Sequence, residues 1–113
     1  MPVTVEERSG YAIVSVVGRL DVITAPEIAG VISSHSLAGL DGLVLDLARV
    51  SFIDSSGIGM LVVQHRTMAD QEKRFVVANP PEQARLVLRI TNLEQVLEIE
   101  SSVDRAISGS AAA

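Results

Sequence analysis

Cysteine and tryptophan are absent from the chain, and lysine occurs once, at Lys73. Without cysteine there is no disulfide, no thiol redox switch and no zinc–cysteine site. With a single lysine, scattered arginines and a formal net charge of −5, there is no basic stripe of the kind a nucleic-acid surface needs to displace counterions. Two phenylalanines and one tyrosine are the whole aromatic complement, so the 48% of hydrophobic residues is carried by Val, Ile, Leu and Ala, and an aliphatic core is expected. No apolar run approaches the ~18 residues of a membrane span, and Glu6 and Glu7 stand where a secretory signal would have a basic flank. The expectation is a cytoplasmic protein that touches neither membrane nor nucleic acid.

The 113 residues are one domain in size, expected to fold to about 6,000 Å² of accessible surface. Val3 to Glu7 alternates and Tyr11 to Val17 is a β-branched run; Arg8-Ser9-Gly10 between them predicts a hairpin turn. The second run is apolar on both faces, the mark of a central strand. Thr24-Ala25-Pro26-Glu27 has the spacing of a capping box, and Ala25, Ile28, Ala29, Ile32 and His35 recur at helical spacing to about Ser36. Gly42 to Leu47 reads as a buried strand leading through Val50. A helical stripe runs from Ser56 through Ile58, Leu61, Val62, His65 and Ala69. Arg74 to Ala78 is another strand, and Asn79-Pro80-Pro81 stops it and opens a helix carrying Ala84, Val87 and Leu88. Val96 to Ile99 is a last strand, and Ser101-Ser102 caps a final helix to about Ile107. The expectation is an α/β fold: a mixed, mostly parallel sheet with an antiparallel N-terminal hairpin and about four helices on one face. The domain is expected over residues 1–108, with 109–113 as a flexible tail.

The chain's organising stretch is Ser51-Phe52-Ile53-Asp54-Ser55-Ser56-Gly57-Ile58-Gly59, where apolar strand gives way to a carboxylate, two hydroxyls and a glycine-bearing first helical turn. Asp, Ser and Ser are ordinary helix caps. The same residues at a helix N-terminus also make a seat for an anion such as a phosphoryl group. Enzyme readings fare poorly beside these two. A hydrolase elbow Gly-x-Ser-x-Gly is missing, and the histidines His35 and His65 lie on helix stripes. An aspartyl phosphoacceptor domain could be drawn from Asp21, Asp46 and Asp54, but Asp21 lacks an adjacent acid and Lys73 precedes its strand. No phosphate-cradling Gly-x-x-x-x-Gly-Lys occurs, and no metal-ligand spacing is present. No catalytic activity, metal or cofactor is expected.

Gly18-Arg19-Leu20-Asp21 followed by Thr24-Ala25, Leu43-Val44-Leu45-Asp46-Leu47, Phe52 to Gly59, and Leu86 to Leu93 together resemble the STAS domain in its stand-alone bacterial form, the anti-sigma factor antagonist. The resemblance spans about residues 3–108. It implies the family's sheet with helices packed to one side, and it implies partner switching. The unphosphorylated antagonist binds an anti-sigma factor, a histidine-kinase-like ATPase, and frees a sigma factor. That ATPase phosphorylates a serine of the antagonist, and a serine phosphatase resets it. On this chain the resemblance places the phosphoserine at Ser55, with Ser56 at the position that is Ser or Thr. Asp21 and Asp54 would line the contact, and Gly57, Ile58 and Gly59 would complete the partner-binding face. Arg19 departs from the family, where Glu is usual. The second reading is a STAS scaffold without a serine switch, working in a larger assembly or sensing a ligand; the resemblance leaves the oligomeric state open.

Overall fold

The computed structural model describes residues 3–111, with side chains as far as Gly109. Strands β1 (Val3–Arg8) and β2 (Tyr11–Leu20) are joined by Ser9 and Gly10, whose φ values of 55° and 86° suit the tight two-residue turn that matches the twist of paired strands. Helix α1 (Thr24–Ser34) leads to β3 (Gly42–Ile53), α2 (Ser55–Asp70), β4 (Arg74–Ala78), α3 (Glu82–Ile90), a 3₁₀ turn at Leu93–Gln95, β5 (Glu98–Glu100) and α4 (Val103–Ala111). The sheet order is β1-β2-β3-β4-β5, antiparallel between β1 and β2 and parallel thereafter. Its accessible surface of 6013 Å² matches the scaling expectation for a chain of this length.

Alternation along the central strands sends two apolar sets to opposite faces. Ala12, Val14 and Val16, Leu43, Leu45 and Leu47, and Phe75 and Val77 meet Ile28 and Ile32 of α1, Leu61 and Met68 of α2, and Ala84 and Leu88 of α3. The other face carries Tyr11, Ile13, Val44, Val76 and Ala78, covered by Val103, Ala106 and Ile107 of α4. The expected fold class holds, with one correction: three helices share a face, and α4 lies on the other. The crossover rule constrains only helices that return to another parallel strand. No strand follows α4 among the described residues, so its apolar stripe was free to close the otherwise bare face.

Arg74 bolts α4 in place. Its guanidinium is paired in a fork with Glu98, donates to the Tyr11 hydroxyl at 3.1 Å and donates to the carbonyl of Ala106. The expected tail over 109–113 overlaps the last three residues of α4, which runs to Ala111; residues 112 and 113 lie outside the described residues, as do residues 1 and 2.

Candidate functional site

β3 is longer than its apolar run suggests, because it pairs with β2 beyond the point where β4 stops. β4 accompanies β3 only from Gly42 to Asp46, whereas β2 follows it to Ile53, with Leu20 beside Ile53. The exposed Arg49 and Ser51 are therefore strand residues on a two-stranded ribbon. Register shifts between Ser15 and Val17 and between Gly18 and Arg19, with Gly18 at φ 99°, bend that ribbon in the manner of β-bulges. Both strands end together, and each is followed by an aspartate that opens a helix.

At the end of β3, Asp54 Oδ1 accepts from the backbone N–H groups of Ser56 at 2.9 Å and Gly57 at 3.1 Å, satisfying two orphan donors of α2. The N–H of Asp54 donates to the Leu20 carbonyl at 3.1 Å, tying the two strand ends. Gln83 of α3 completes the junction: its Oε1 accepts from the Ile53 N–H at 3.0 Å and its Nε2 donates to the Ile53 carbonyl at 2.9 Å. The side chain thus stands in for the strand that β4 does not supply. Sequence reasoning missed Gln83, since nothing in its local pattern ties it to a backbone thirty positions away.

At the end of β2, Asp21 Oδ1 accepts from the N–H groups of Ile23 at 3.0 Å and Thr24 at 3.1 Å. The expected capping box does not form: the Thr24 hydroxyl turns back to donate to the Arg19 carbonyl at 2.6 Å and accepts from the Asp21 N–H at 3.0 Å. Asp21, three residues earlier, takes the cap instead. The Thr24 amide above all, aided by the Ile23 amide, the Thr24 hydroxyl and Arg19, holds the Asp21 carboxyl below its ordinary pKa. A depressed carboxylate stabilises the turn fully above the ordinary Asp value of about 3.9, and the contribution is lost as pH falls through the lower folded value. The amide resonances of Ile23 and Thr24 are therefore expected to titrate together with a midpoint below about 3.9, and Asp21→Asn removes that titration; a midpoint at or above that value would contradict the cap.

Arg19, the residue that departs from the family pattern, lies with its guanidinium 4.6 Å from the Phe52 ring centroid and 3.4 Å from Asp21 Oδ2. Its register partner across the ribbon is Phe52, so the stack follows from the strand pairing. Cation and ring together form a lip beside both helix mouths.

The structure brings the predicted site residues together but gives them different tasks. Ser55 and Gly59 are exposed, Asp21, Asp54 and Ser56 are half-buried, and Gly57 and Ile58 are buried. No described group bonds the Ser55 hydroxyl. A Cβ on Gly57 would lie 2.5 Å from both Ile53 Cγ1 and the Leu20 carbonyl oxygen, whereas one on Gly59 meets nothing within 4 Å. Gly57 thus lets α2 press onto the strand ends, and with Ile58 it supports the face from beneath; Gly59 opens onto the face itself. The mouth of α2 is also not the vacant anion seat that the sequence suggested, because the Asp54 carboxylate already holds two of its N–H groups. A phosphoryl group on Ser55 would stand outside, beside that carboxylate.

Val22 and Val63, 66% and 56% exposed, share a shallow apolar hollow with Ser56, and Ile23, which follows Val22, is 71% exposed. Elsewhere the candidates resolve into structural roles. Asp46 accepts from Asn79 Nδ2 at 3.0 Å and from the Ala48 N–H at 3.1 Å. His35 Nε2 lies 2.9 Å from Glu7 Oε2, far along the chain from the helix mouth. Among the described residues, no group of three or more His, Cys, Asp or Glu is placed to hold a metal, and no helix is long and apolar enough to cross a membrane.

Comparison with known proteins agrees with this architecture. The STAS domain family model matches residues 2–106. An anti-sigma-B factor antagonist of Staphylococcus epidermidis is 28% identical over 91 residues, covering 80% of this chain and 84% of that protein. A crystal structure of an anti-sigma factor antagonist from Mycobacterium paratuberculosis superposes with TM-score 0.84 at 26% identity, over 95% of this chain and 91% of that one. The Bacillus cell-fate determinant SpoIIAA in its phosphorylated form shares the fold, with TM-score 0.73 at 22% identity, over 96% and 98% of the two chains.

Proposed function

Since this chain belongs to the STAS domain family, we propose that it is an anti-sigma factor antagonist whose binding is ended by phosphorylation of Ser55. Its relatives are regulators, in keeping with the expectation that the chain catalyses nothing itself. The partner in this reading is an anti-sigma factor of the histidine-kinase-like ATPase type, and a serine phosphatase restores the free hydroxyl.

One observation carries the reading. Ser55 is exposed, directly follows the cap of α2, and stands at the point where two joined strand ends present Asp21, Asp54, Ser56 and Gly59 beside Val22 and Ile23. The apolar residues supply the area that associates, and the hydroxyl supplies the element that is modified. Phosphorylation adds about −1.5 to −2 charges next to the Asp54 and Asp21 carboxylates. Arg19 at the lip is the nearby cation available to offset them. Ser55 is exposed and the Asp54 cap is intact without it, so the fold survives the modification; the partner, fitted to a bare hydroxyl, loses its contact.

The test is capture of partners from the source cell on wild-type, Ser55→Ala and Ser55→Glu baits, with phosphosite mapping of the native protein. An ATPase of the histidine-kinase-like type held by wild type and Ala but not Glu, together with phosphate on Ser55, is the expected result. An unmodified Ser55 and no such ATPase would instead favour the non-switching scaffold.

A further inference from the structure

Gln64 of α2 is a polar side chain only 7% exposed, and among the described residues nothing donates to or accepts from its amide. An amide carries two donors and an acceptor; those of Gln64 are not sealed from solvent, so an occupant of the groove exchanges water there for direct hydrogen bonds. The small exposed part of Gln64 opens on the groove between α1 and α2. There it lines two adjoining hollows of about 500 Å³ and 320 Å³ that share Ala29 and Gln64. The larger hollow is lined by Ile32, Leu37 and Met68 on its apolar side and by Ser33, Ser36, Thr67 and Gln71 on its polar side. The groove is concave, with apolar residues to supply area and hydroxyl and amide groups to fix orientation, as a small-molecule site requires.

The geometry points to a binding site in the α1–α2 groove for a small neutral molecule that presents a carboxamide or lactam edge on an apolar body. Such an edge donates and accepts in one plane and so satisfies the Gln64 amide at both ends. Neither hollow is lined by Lys or Arg, and His35 at the rim already faces Glu7, so a carboxylate would be desolvated there without a counter-charge. The smaller hollow ends at Ser56, beside the switch serine, which gives an occupant a route to the partner face. The site itself does not depend on modification of Ser55.

Cyclohexanecarboxamide is the probe, titrated into ¹⁵N-labelled protein and followed by the Gln64 side-chain NH₂ signals and the backbone amides of residues 29–37 and 64–71. The expected result is saturable shifts with a dissociation constant on the order of 1 mM, ordinary for a fragment of that size. Gln64→Leu keeps the apolar volume and is expected to weaken binding at least about tenfold. Gly30 lies in the groove wall and a Cβ there meets nothing within 4 Å, so Gly30→Leu is expected to fill the hollow and abolish binding without disturbing the core. Cyclohexanecarboxylate is expected not to bind. The inference is overturned by absent or non-saturating shifts in the wild type, by undiminished binding in either variant, or by a carboxylate that binds as tightly as the amide. Shifts produced only by a partner protein, and by no carboxamide fragment, would mark the groove as a protein contact and overturn it equally.

Discussion

Replacing Ser55 by Glu is expected to weaken binding of the anti-sigma factor by roughly 100-fold, about 3 kcal/mol, the scale on which misplaced charge acts across an interface. Ser55→Ala is expected to bind within about threefold of the wild type and to be insensitive to ATP, since a methyl group fits where a bare hydroxyl did and offers no acceptor for the phosphoryl group. Calorimetric titration of the purified partner measures both. The contrast isolates the interface because Ser55 is exposed and its side chain has no described partner, so each variant should unfold within about 0.5 kcal/mol of the parent. Equal affinity for the Ala and Glu forms would remove the switch from the account.

A second large effect is expected at Gly57, and it is one of folding. A Val there would place Cβ 2.5 Å from the Leu20 carbonyl and Ile53 Cγ1, a collision with backbone at the junction that holds both helix mouths. Overpacking of this kind costs roughly 1–3 kcal/mol, and the rigid carbonyl puts this site at the upper end. The melting temperature should fall by roughly 10 °C. Gly59→Ala supplies the opposite sign: its Cβ meets open space, and Ala is favoured over Gly in a helix by up to about 1 kcal/mol. Its melting temperature should rise while partner affinity drops, separating a glycine needed for packing from one needed for approach. A destabilised Gly59→Ala, or a Gly57→Val as stable as the parent, would contradict this division.

The order of strands and helices was legible because period-2 and period-3.6 apolar patterns hardly overlap in this chain, and Ser9-Gly10 and Asn79-Pro80-Pro81 punctuate it strongly. The aspartate at the mouth of α2 was legible for the same reason, as an Asp-Ser-Ser run between an apolar strand and a helical stripe. What escaped was set by non-local pairing. β3 continues through Arg49 and Ser51 because β2 runs alongside, which no propensity records. The Thr24 hydroxyl had a better acceptor at Arg19 than the capping-box geometry offers, and Asp21 was close enough to take the cap. Gln83 and Gln64 look alike in sequence, yet one completes a β-ladder and the other lines a groove. The placement of α4 on the far face of the sheet required knowing that Tyr11, Ile13, Val44 and Val76 form an apolar surface that no other helix among the described residues covers.

The most direct test of the central claim is a reconstituted phosphotransfer. The purified chain, its captured ATPase and ATP are followed by peptide mass mapping and by the size of the complex at the same time points. The expected result is a single phosphoryl group on Ser55, absent from Ser55→Ala, with the complex dissociating in step with its appearance. Phosphate on another residue, or a Ser55-phosphorylated chain that remains bound, would contradict the account.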